Sequence, residues 1–211
     1  DTSVSETFTI TVNAVNDTPS FTKGDNQAVS EDCGEITVTG WAKNIYIGPA
    51  NEATQTYSFI ITTNNDALFS ALPAIDTNGK LSFTPAANAN GSATVTVSLK
   101  DSGGGADTSS AETFTISIAA VNDSPTLSGA ASVSTDEDVA YSYNFTIDDV
   151  EDARNLTISY DTSDTAILPK SNISLSGSGK NRILTLTPAA NRSGSSNVTI
   201  TVKDSEGLSS S

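Results

Sequence analysis

Acidic residues and one asparagine lie where the predicted strands of this chain end. Carboxylates, amide oxygens and backbone carbonyls are hard ligands, and Ca²⁺ accepts six to eight such oxygens. Because clustered carboxylates repel one another, loops that bring several together favour a bound cation. A solvated loop explains any single one of these residues equally well. The positions are Asp17, Glu31, Asp32, Asp101, Asp107, Asn122, Asp123, 136–138, Asp148, Asp149, Glu151, Asp152, Asp204 and Glu206.

The net charge indicates which partners the chain can have. Asp and Glu number 25 against 10 Lys and Arg, which gives a formal charge of -15. Nucleic acids and anionic membranes are disfavoured, because neutralising phosphates requires basic patches. No long apolar run or signal-like start is present, so we expect no membrane contact by this segment. Cations are the expected ligands.

Enzyme chemistry finds little support. The chain has no His, so neither a Ser-His-Asp nor a Cys-His arrangement can form. Carboxylate pairs for glycoside hydrolysis remain open on composition, but acids on the loops of a narrow sandwich lack a cleft. The single cysteine, Cys33, lies in the turn-like SEDCGE and is either a small turn residue or an intermolecular cross-link. We predict that the protein is not an enzyme.

An internal repeat organises the chain. Residues 1–20 and 107–126 align at an offset of 106 with 13 of 20 positions identical. Further matches, LSFTPAANANG with LTLTPAANRSG and LKDSGG with VKDSEG, occur at an offset of 103. These matches predict a tandem array of modules that share one fold.

Alternating apolar residues predict strands throughout. Phe114, Ile116 and Ile118 alternate with Ser and Thr, as in a half-buried strand, and Trp41 is a candidate core anchor. About seven short strands per module, with frequent turn signals, predict an all-β fold of tandem immunoglobulin-like β-sandwiches. The predicted strands are 1–13, 21–30, 35–41, 54–62, 80–84, 94–100 and 111–119 in the first part, and 126–134, 140–147, 156–160, 173–176, 182–187 and 197–203 in the second.

The repeat predicts three segments. Residues 1–16 form the last strand of a preceding repeat or a donor strand, residues 17–122 form repeat 1, and residues 123–211 form repeat 2 without its final strand. The boundary is therefore one strand out of phase. Either the chain is a window on a longer array, or the N-terminal strand of one chain completes the C-terminal module of the next.

The motifs resemble the cadherin-like and immunoglobulin-like tandem repeats of large bacterial surface adhesins, of the VNDxP type. AVNDTP and AVNDSP resemble the cadherin hinge Asp-x-Asn-Asp-Asn-x-Pro. AVSEDCGE and STDEDVA stand where cadherins have a calcium-binding Glu. DDVEDARN is similar to their Asp-x-Asp loop, and KDSEGLSS to their Asp before the last connection.

The resemblance implies calcium at the junctions between repeats. It implies that one junction, between repeats 1 and 2, gathers Glu31, Asn122, Asp123, Asp148, Asp149, Asp152 and Asp204. A weaker site before repeat 1 would use Asp17 and Asp101, because repeat 1 has GPANEATQ in place of the acidic loop. The hinge also departs from the cadherin motif, since Ala120 replaces its first Asp and the motif is one residue short. We therefore expect only one or two ions per junction, with dissociation constants of roughly 10⁻⁴ to 10⁻³ M.

Three functions follow as hypotheses. The first is a structural spacer of an extracellular adhesin or surface fibre, stiffened by calcium at its junctions, with neighbouring repeats or identical subunits as partners. The second is a self-assembling extracellular filament subunit joined by donor-strand complementation. The third is a module that binds carbohydrate or ice directly. We expect the protein to be secreted or displayed on the cell surface; the distal ligand is not specified by these residues.

Overall fold

The computed structural model describes residues 3–129, 131–152 and 155–211. The chain divides into two compact units, Asp1–Val121 and Asn122–Ser211. The described residues form β-strands and turns with a few short 3₁₀ segments, and no α-helix occurs among them. The expected all-β fold of immunoglobulin-like sandwiches is confirmed. None of the described helical segments is long and apolar enough to span a membrane.

Unit 1 contains two main sheets and a strand pair. One sheet has the order β2-β9-β8-β5, the second has the order β3-β7-β6, and β1 pairs with β4. The strands are β1 Ser20–Thr22, β2 Gln27–Ser30, β3 Ile36–Val38, β4 Lys43–Tyr46, β5 Tyr57–Thr63, β6 Phe69–Ile75, β7 Leu81–Pro85, β8 Gly91–Asp101 and β9 Glu112–Ala119.

The core of unit 1 follows the predicted alternation. On β9, Phe114, Ile116 and Ile118 are all buried, and they pack with residues of β7 and β8. Trp41 is 2% exposed, and its ring centroid lies 4.4 Å from that of Phe114. Trp41 is therefore a core anchor, as predicted.

Residues 21–30, predicted as one strand, form two strands in different sheets. The break lies at residues 23–26, where Trp41 Nε1 donates a 2.9 Å hydrogen bond to the carbonyl of Asp25. A Cβ at Gly24 would lie 2.6 Å from Trp41 Cδ1. The indole therefore lies against the backbone where the chain crosses from one sheet to the other, and a continuous strand cannot form there.

Two strands form where none is predicted. Between the predicted strands 35–41 and 54–62, β4 forms and pairs with β1. Between the predicted strands 54–62 and 80–84, β6 forms and pairs with β7 across the turn Asp-Thr-Asn-Gly at residues 76–79. Asp76 Oδ1 accepts hydrogen bonds from the amides of Asn78 and Lys80, which closes that turn.

Unit 2 repeats this plan with fewer paired strands. One sheet has the order β10-β11-β14-β13 and the other β12-β15-β16. Of the predicted strand 126–134, only β10 forms; Ala130 lies outside the described residues, and 131–134 carry no strand. The strands are β10 Thr126–Ser128, β11 Tyr141–Asp148, β12 Thr157–Thr162, β13 Ile173–Ser178, β14 Asn181–Leu186, β15 Val198–Lys203 and β16 Ser209–Ser210.

The segment predicted as a strand at residues 1–13 forms no strand within this chain in its described part, and its assignment to a preceding repeat or as a donor strand stays a prediction. Residues 3–19 carry no strand, and Asp1 and Thr2 lie outside the described residues. A strand needs a partner for its backbone groups. Within unit 1, the position beside β8 and β2 is already taken by β9, which has nearly the same sequence.

Candidate metal centre

Asp204 lies at the centre of a tight loop that follows β15. Its side chain is buried, and Oδ1 accepts hydrogen bonds of 2.9 Å from the amides of Glu206 and Leu208, with a third from Gly207. The loop is therefore folded around this carboxylate, and the second oxygen, Oδ2, is left for other contacts.

The first residues of unit 2 attach to two loops. Asn122 Nδ2 donates a 2.8 Å hydrogen bond to Asp204 Oδ2, and the Asp123 amide donates a 3.2 Å bond to Glu151 Oε2. Side-chain carboxylates thus hold residues 122–123, which we call the lead-in segment. The side-chain amide of Asn122 and the backbone amide of Asp123 are the donors in these bonds. The oxygens of Asn122 and Asp123 remain available.

The loop after β11 adds a second buried carboxylate. Asp149 Oδ1 accepts from the amides of Glu151 at 3.0 Å and Asp152 at 2.6 Å. Asp152 in turn accepts from the amide of Ser205 at 3.2 Å and from its hydroxyl, which joins this loop to the Asp204 loop. Ala153 and Arg154, within the DDVEDARN motif, lie outside the described residues. We call Asn122, Asp123, Asp149, Glu151, Asp152 and Asp204 the Asp204 cluster.

Asp148 is predicted as a ligand but has a different contact. Its carboxylate forms a 2.5 Å salt bridge with Lys180 Nζ, and hydrogen bonding to Lys180 and to the Asp149 amide lowers its pKa. This ion pair already compensates the charge, so we leave Asp148 out of the cluster.

Unit 1 carries an equivalent cluster around Asp101 at the end of β8. Asn16 Nδ2 donates a 3.3 Å hydrogen bond to Asp101 Oδ1, and the Asp17 amide donates to both carboxylate oxygens of Glu52, at 3.1 and 3.3 Å. Gln55 Nε2 donates a 2.8 Å bond to Asn16 Oδ1. We call Asn16, Asp17, Glu52, Gln55 and Asp101 the Asp101 cluster.

The two clusters correspond through the strand register. Ser58 faces Lys100 in unit 1, and Thr157 faces Lys203, the counterpart of Lys100, in unit 2. Thr157 therefore corresponds to Ser58, and the residue six positions earlier, Glu151, corresponds to Glu52. The same register places Ala50 where unit 2 has Asp149. The Asp101 cluster therefore has three carboxylates, those of Asp17, Glu52 and Asp101, against five in the Asp204 cluster. That its site is the weaker one stays a prediction.

Glu31 lies elsewhere in unit 1, close to the end of β9. It is 1% exposed, and Oε1 accepts a 2.8 Å hydrogen bond from the Val121 amide while Oε2 accepts a 3.5 Å bond from Asn90. Both oxygens therefore have donors. In the structure Glu31 holds the segment that leaves unit 1.

Oxygens without hydrogen-bond donors mark both clusters. In the described part of the chain, five buried side-chain polar atoms lack a partner, and every one is an oxygen of these two clusters. Unpaired buried acceptors cost free energy unless a cation or water compensates them. These atoms are Oδ2 of Asp101 and Oε1 of Gln55 in unit 1, and Oδ1 of Asn122, Oδ2 of Asp123 and Oδ2 of Asp149 in unit 2.

The clusters mix carboxylates with amides. Across residues 3–129, 131–152 and 155–211, no group of three or more His, Cys, Asp or Glu side chains is arranged to hold a metal ion. Amide oxygens would therefore have to complete any coordination, a combination that suits calcium better than zinc. Among the same residues, no salt bridge reaches a carboxylate of either cluster.

Hydrogen bonding keeps two cluster carboxylates ionised. Burial raises the pKa of Asp204, but bonds from Asn122 and from the amides of Gly207, Leu208 and Glu206 outweigh it, so its pKa lies below the usual value for an aspartate. The Ser205 hydroxyl lowers the pKa of Asp152 in the same way. At neutral pH the Asp204 cluster therefore concentrates negative charge.

The sequence analysis does not name Asn16, Glu52 or Gln55, and it names Glu151 among the acidic positions but not among the junction ligands. The GPANEATQ loop lacks paired acids, so Glu52 is not conspicuous, although it is only 4% exposed. The signal that identifies Glu52 is its distance in sequence from β5, which equals the distance of Glu151 from the equivalent position on β12.

Cys33 is exposed and unbonded to another cysteine. It lies in a turn beside Asp32, whose φ is 59°. Cross-linking through Cys33 stays a prediction.

Comparisons with known proteins find solved structures that are similar to this chain and a family model that matches part of it. Solved structures that resemble it include the human desmocollin-1 ectodomain, at 17% identity and a TM-score of 0.43, with 94% of this chain and 36% of that chain covered. The eight N-terminal immunoglobulin domains of Down syndrome cell adhesion molecule resemble it at 14% identity and a TM-score of 0.41, with 92% and 27% covered. A three-domain immunoglobulin segment of titin does so at 8% identity and a TM-score of 0.43, with 92% and 63% covered.

This chain thus spans about a third of the desmocollin chain and about a quarter of the cell adhesion molecule. A comparison with curated protein sequences found no match. Residues 122–211, which form unit 2 and contain the whole Asp204 cluster, match the family model of the bacterial Ig domain.

Proposed function

We propose that this chain consists of structural spacer modules of an extracellular adhesin or surface fibre, stiffened by calcium. The observation that carries the proposal is the set of unpaired buried oxygens in the Asp204 cluster. All three belong to residues of the lead-in segment, 122–123, and of the loop after β11, which are joined by the hydrogen bond from the Asp123 amide to Glu151. The match of unit 2 to the bacterial Ig domain, a class of typically non-catalytic module, supports a structural role.

The proposed mechanism is electrostatic. Without a cation, the carboxylates of the Asp204 cluster repel one another, and among the described residues one hydrogen bond each holds Asn122 and Asp123 to unit 2. Asn122, Asp123 and Asp149 are the residues that would hold a calcium ion, and its positive charge would offset this repulsion. Calcium would thus convert the segment that leads into unit 2 from a flexible connection into part of the module.

Anchoring on both sides supports a stiff connection. Val121 is bonded to Glu31 of unit 1, and the next residue, Asn122, is bonded to Asp204 of unit 2. Two consecutive residues are therefore hydrogen-bonded, Val121 within unit 1 and Asn122 within unit 2. Movement of the Asn122 side chain would then change the mobility of the backbone around Val121 and Asn122.

Small-angle X-ray scattering with and without a calcium chelator tests the stiffening. We expect the maximum dimension to decrease and the distance distribution to broaden when calcium is removed. We expect Asp149→Asn in the presence of calcium to give the same scattering as the unmodified chain in chelator. Asp161→Asn is the matched control, because Asp161 is an exposed carboxylate on β12 outside the cluster. Identical scattering curves in calcium and chelator would refute the stiffening role.

A further inference from the structure

Strand β5 forms one edge of the sheet β2-β9-β8-β5 in unit 1, and among the described residues it pairs only with β8. It is seven residues long, Tyr57–Thr63, and reads YSFIITT, with no charge and no proline. Edge strands in natural proteins are usually short, bulged, charged or interrupted by proline, because a free row of backbone groups pairs with other chains. β5 has none of these protections.

A hydrogen bond next to β5 shows which of its backbone groups are free. Just beyond the strand, the amide of Asn64 donates to the carbonyl of Thr94 on β8. The amide and carbonyl of a residue in an antiparallel strand face the same neighbour, and this direction alternates along the strand. The even-numbered residues of β5 therefore bond to β8. In the described part of the chain, no backbone hydrogen bond outside the ladder reaches the odd-numbered residues. These residues, whose backbone groups face away from β8, are Tyr57, Phe59, Ile61 and Thr63.

The side chains of β5 make this edge self-complementary. On the outward face, the exposed Ser58 and Thr62 flank Ile60, which is 46% exposed. A second β5 placed antiparallel about a twofold axis at Ile60 pairs Ser58 with Thr62 and Ile60 with Ile60, and on the inward face it pairs Phe59 with Ile61. In this register odd-numbered residues face odd-numbered ones, so their free backbone groups bond to each other. An axis at Phe59 would instead place Ser58 opposite Ile60.

The equivalent edge of unit 2 lacks these features. Strand β12 is the counterpart of β5, with Ser159 in place of Ile60 and Asp161 in place of Thr62. The side chain of Asp161 is 75% exposed, and a charge on an edge strand opposes pairing. The other seven-residue edge strand of unit 1, β6, contains Pro73 and two register shifts. Of these three edges, β5 is therefore the one suited to pairing.

The distribution of charge also favours a second copy at β5. Two chains with a formal charge of -15 repel each other, so they can meet only where carboxylates are few. The outward-facing residues of β8 that neighbour β5 are Thr96, Ser98 and Lys100, and none of them is acidic. Two copies can therefore meet at β5 without bringing acidic side chains of these two strands together.

We propose that unit 1 associates with unit 1 of a second copy of this chain through antiparallel pairing of β5 with β5, centred on Ile60. The two four-stranded sheets then form one continuous sheet. An interface of one strand pair is at the small end for proteins, so the pairing of isolated chains is transient. Chains held side by side at high local concentration pair more fully. The inference does not depend on calcium binding.

Single-cysteine variants in a Cys33→Ser background test the register. Ile60→Cys should form a disulfide between chains in a glutathione redox buffer, because opposed residues of a non-hydrogen-bonded pair have Cα atoms about 4.5 Å apart, within the range for a disulfide. Ser58→Cys is the matched control and should cross-link much less, because its symmetric counterpart lies four positions away along the strand. Mixing Ser58→Cys with Thr62→Cys should restore cross-linking. Equal cross-linking of Ile60→Cys and Ser58→Cys, or none in either, would overturn the proposal.

Analytical ultracentrifugation of the full chain tests the pairing without a cross-link, with calcium held constant. We expect the average mass of the Cys33→Ser chain to rise with protein concentration and with sodium chloride, which screens the repulsion between chains. Ile60→Lys should stay monomeric, whereas Ser159→Lys, at the equivalent position of unit 2, should associate as before. Circular dichroism confirms that each variant is folded. A monomer under all these conditions, or association that survives Ile60→Lys, would contradict pairing through β5.

Discussion

The side chain of Asn122 donates a 2.8 Å hydrogen bond from Nδ2 to Oδ2 of Asp204, which leaves Asn122 Oδ1 as a buried acceptor without a donor. Asn16 and Asp101 form the corresponding bond in unit 1, at 3.3 Å. The same pair thus recurs at the start of both modules. An amide that donates to one carboxylate and presents its oxygen to the same cluster is well placed to share a cation with it.

Calcium should stabilise unit 2 through this cluster. At a ten- to hundredfold excess over the dissociation constant, linkage gives about 1.4 to 2.7 kcal/mol, which scanning calorimetry detects as a higher unfolding temperature. Asp149→Asn should lose this increment, since it removes the charge at the unpaired Oδ2 while the amide oxygen can still accept from Glu151 and Asp152.

The sign of the stability change that Asp149→Asn causes in chelator distinguishes a metal ligand from a merely structural residue. Without calcium, Asp149→Asn should be no less stable than the unmodified chain, because one repelling charge is gone. Asp161→Asn should keep the full calcium response. Loss of stability in Asp149→Asn to the same degree with calcium and with chelator would argue against metal binding.

Glu52 should hold the segment that leads into unit 1. Glu52→Ala removes both acceptors of the Asp17 amide, so hydrogen exchange at that amide should accelerate and come close to the rate of an unprotected amide. Glu52→Gln keeps one acceptor oxygen and should preserve part of the protection. Unchanged exchange at Asp17 in Glu52→Ala would show that other contacts order this segment.

Acid should destabilise unit 2 through Asp204. Its pKa in the folded protein is lower than that of an unperturbed aspartate, so its contribution is present above the usual aspartate pKa and is lost as the pH falls through the lowered pKa. Asp204→Asn should therefore be less stable at neutral pH yet lose less stability as the pH falls below the usual pKa of an aspartate. Urea unfolding followed by circular dichroism at each pH gives both quantities. Parallel pH profiles for the two proteins would contradict the assignment.

Glu31 should matter for the stability of unit 1. Glu31→Ala leaves the Val121 amide without its acceptor inside the protein, at a cost of about 1 to 3 kcal/mol. Glu31→Gln retains an acceptor and should cost less. Trp41 is the single tryptophan and lies in the core of unit 1, so its fluorescence follows unfolding of that unit. Glu35→Ala, at an exposed position in the same region, is the control and should have little effect.

Alternation in the sequence predicts most of the fold because each strand has one buried face. Phe114, Ile116 and Ile118 show this period clearly, and Trp41 is buried as expected. The break at residues 23–26 is harder to predict, since it depends on an indole that packs from a distant part of the chain against Gly24. Residues 6–13 alternate in the way a strand does but form no strand. Alternation in the sequence cannot show which of two similar repeat segments pairs with the neighbouring strands.

The candidate site could be predicted only in part. Asp204, Asp149 and Asn122 stand out as polar residues at strand ends, and unit 2 does bring them into one cluster. Asp148 has the same local sequence, but Lys180, on the turn before β14, pairs with it. Glu52 is isolated in an otherwise neutral loop, so its contact with Asp17 is evident only from the register of the strands.

Nuclear magnetic resonance of the ¹⁵N-labelled chain during a calcium titration tests the central claim most directly. We expect saturable shifts for the side-chain amide of Asn122 and the backbone amides of Asp123, Glu151 and Ser205, with weaker changes at Asn16 and Gln55. Magnesium, which demands stricter octahedral geometry, should produce smaller changes. Small, non-saturating shifts spread over exposed acids such as 136–138, with Asn122 unaffected, would contradict calcium binding at the module ends.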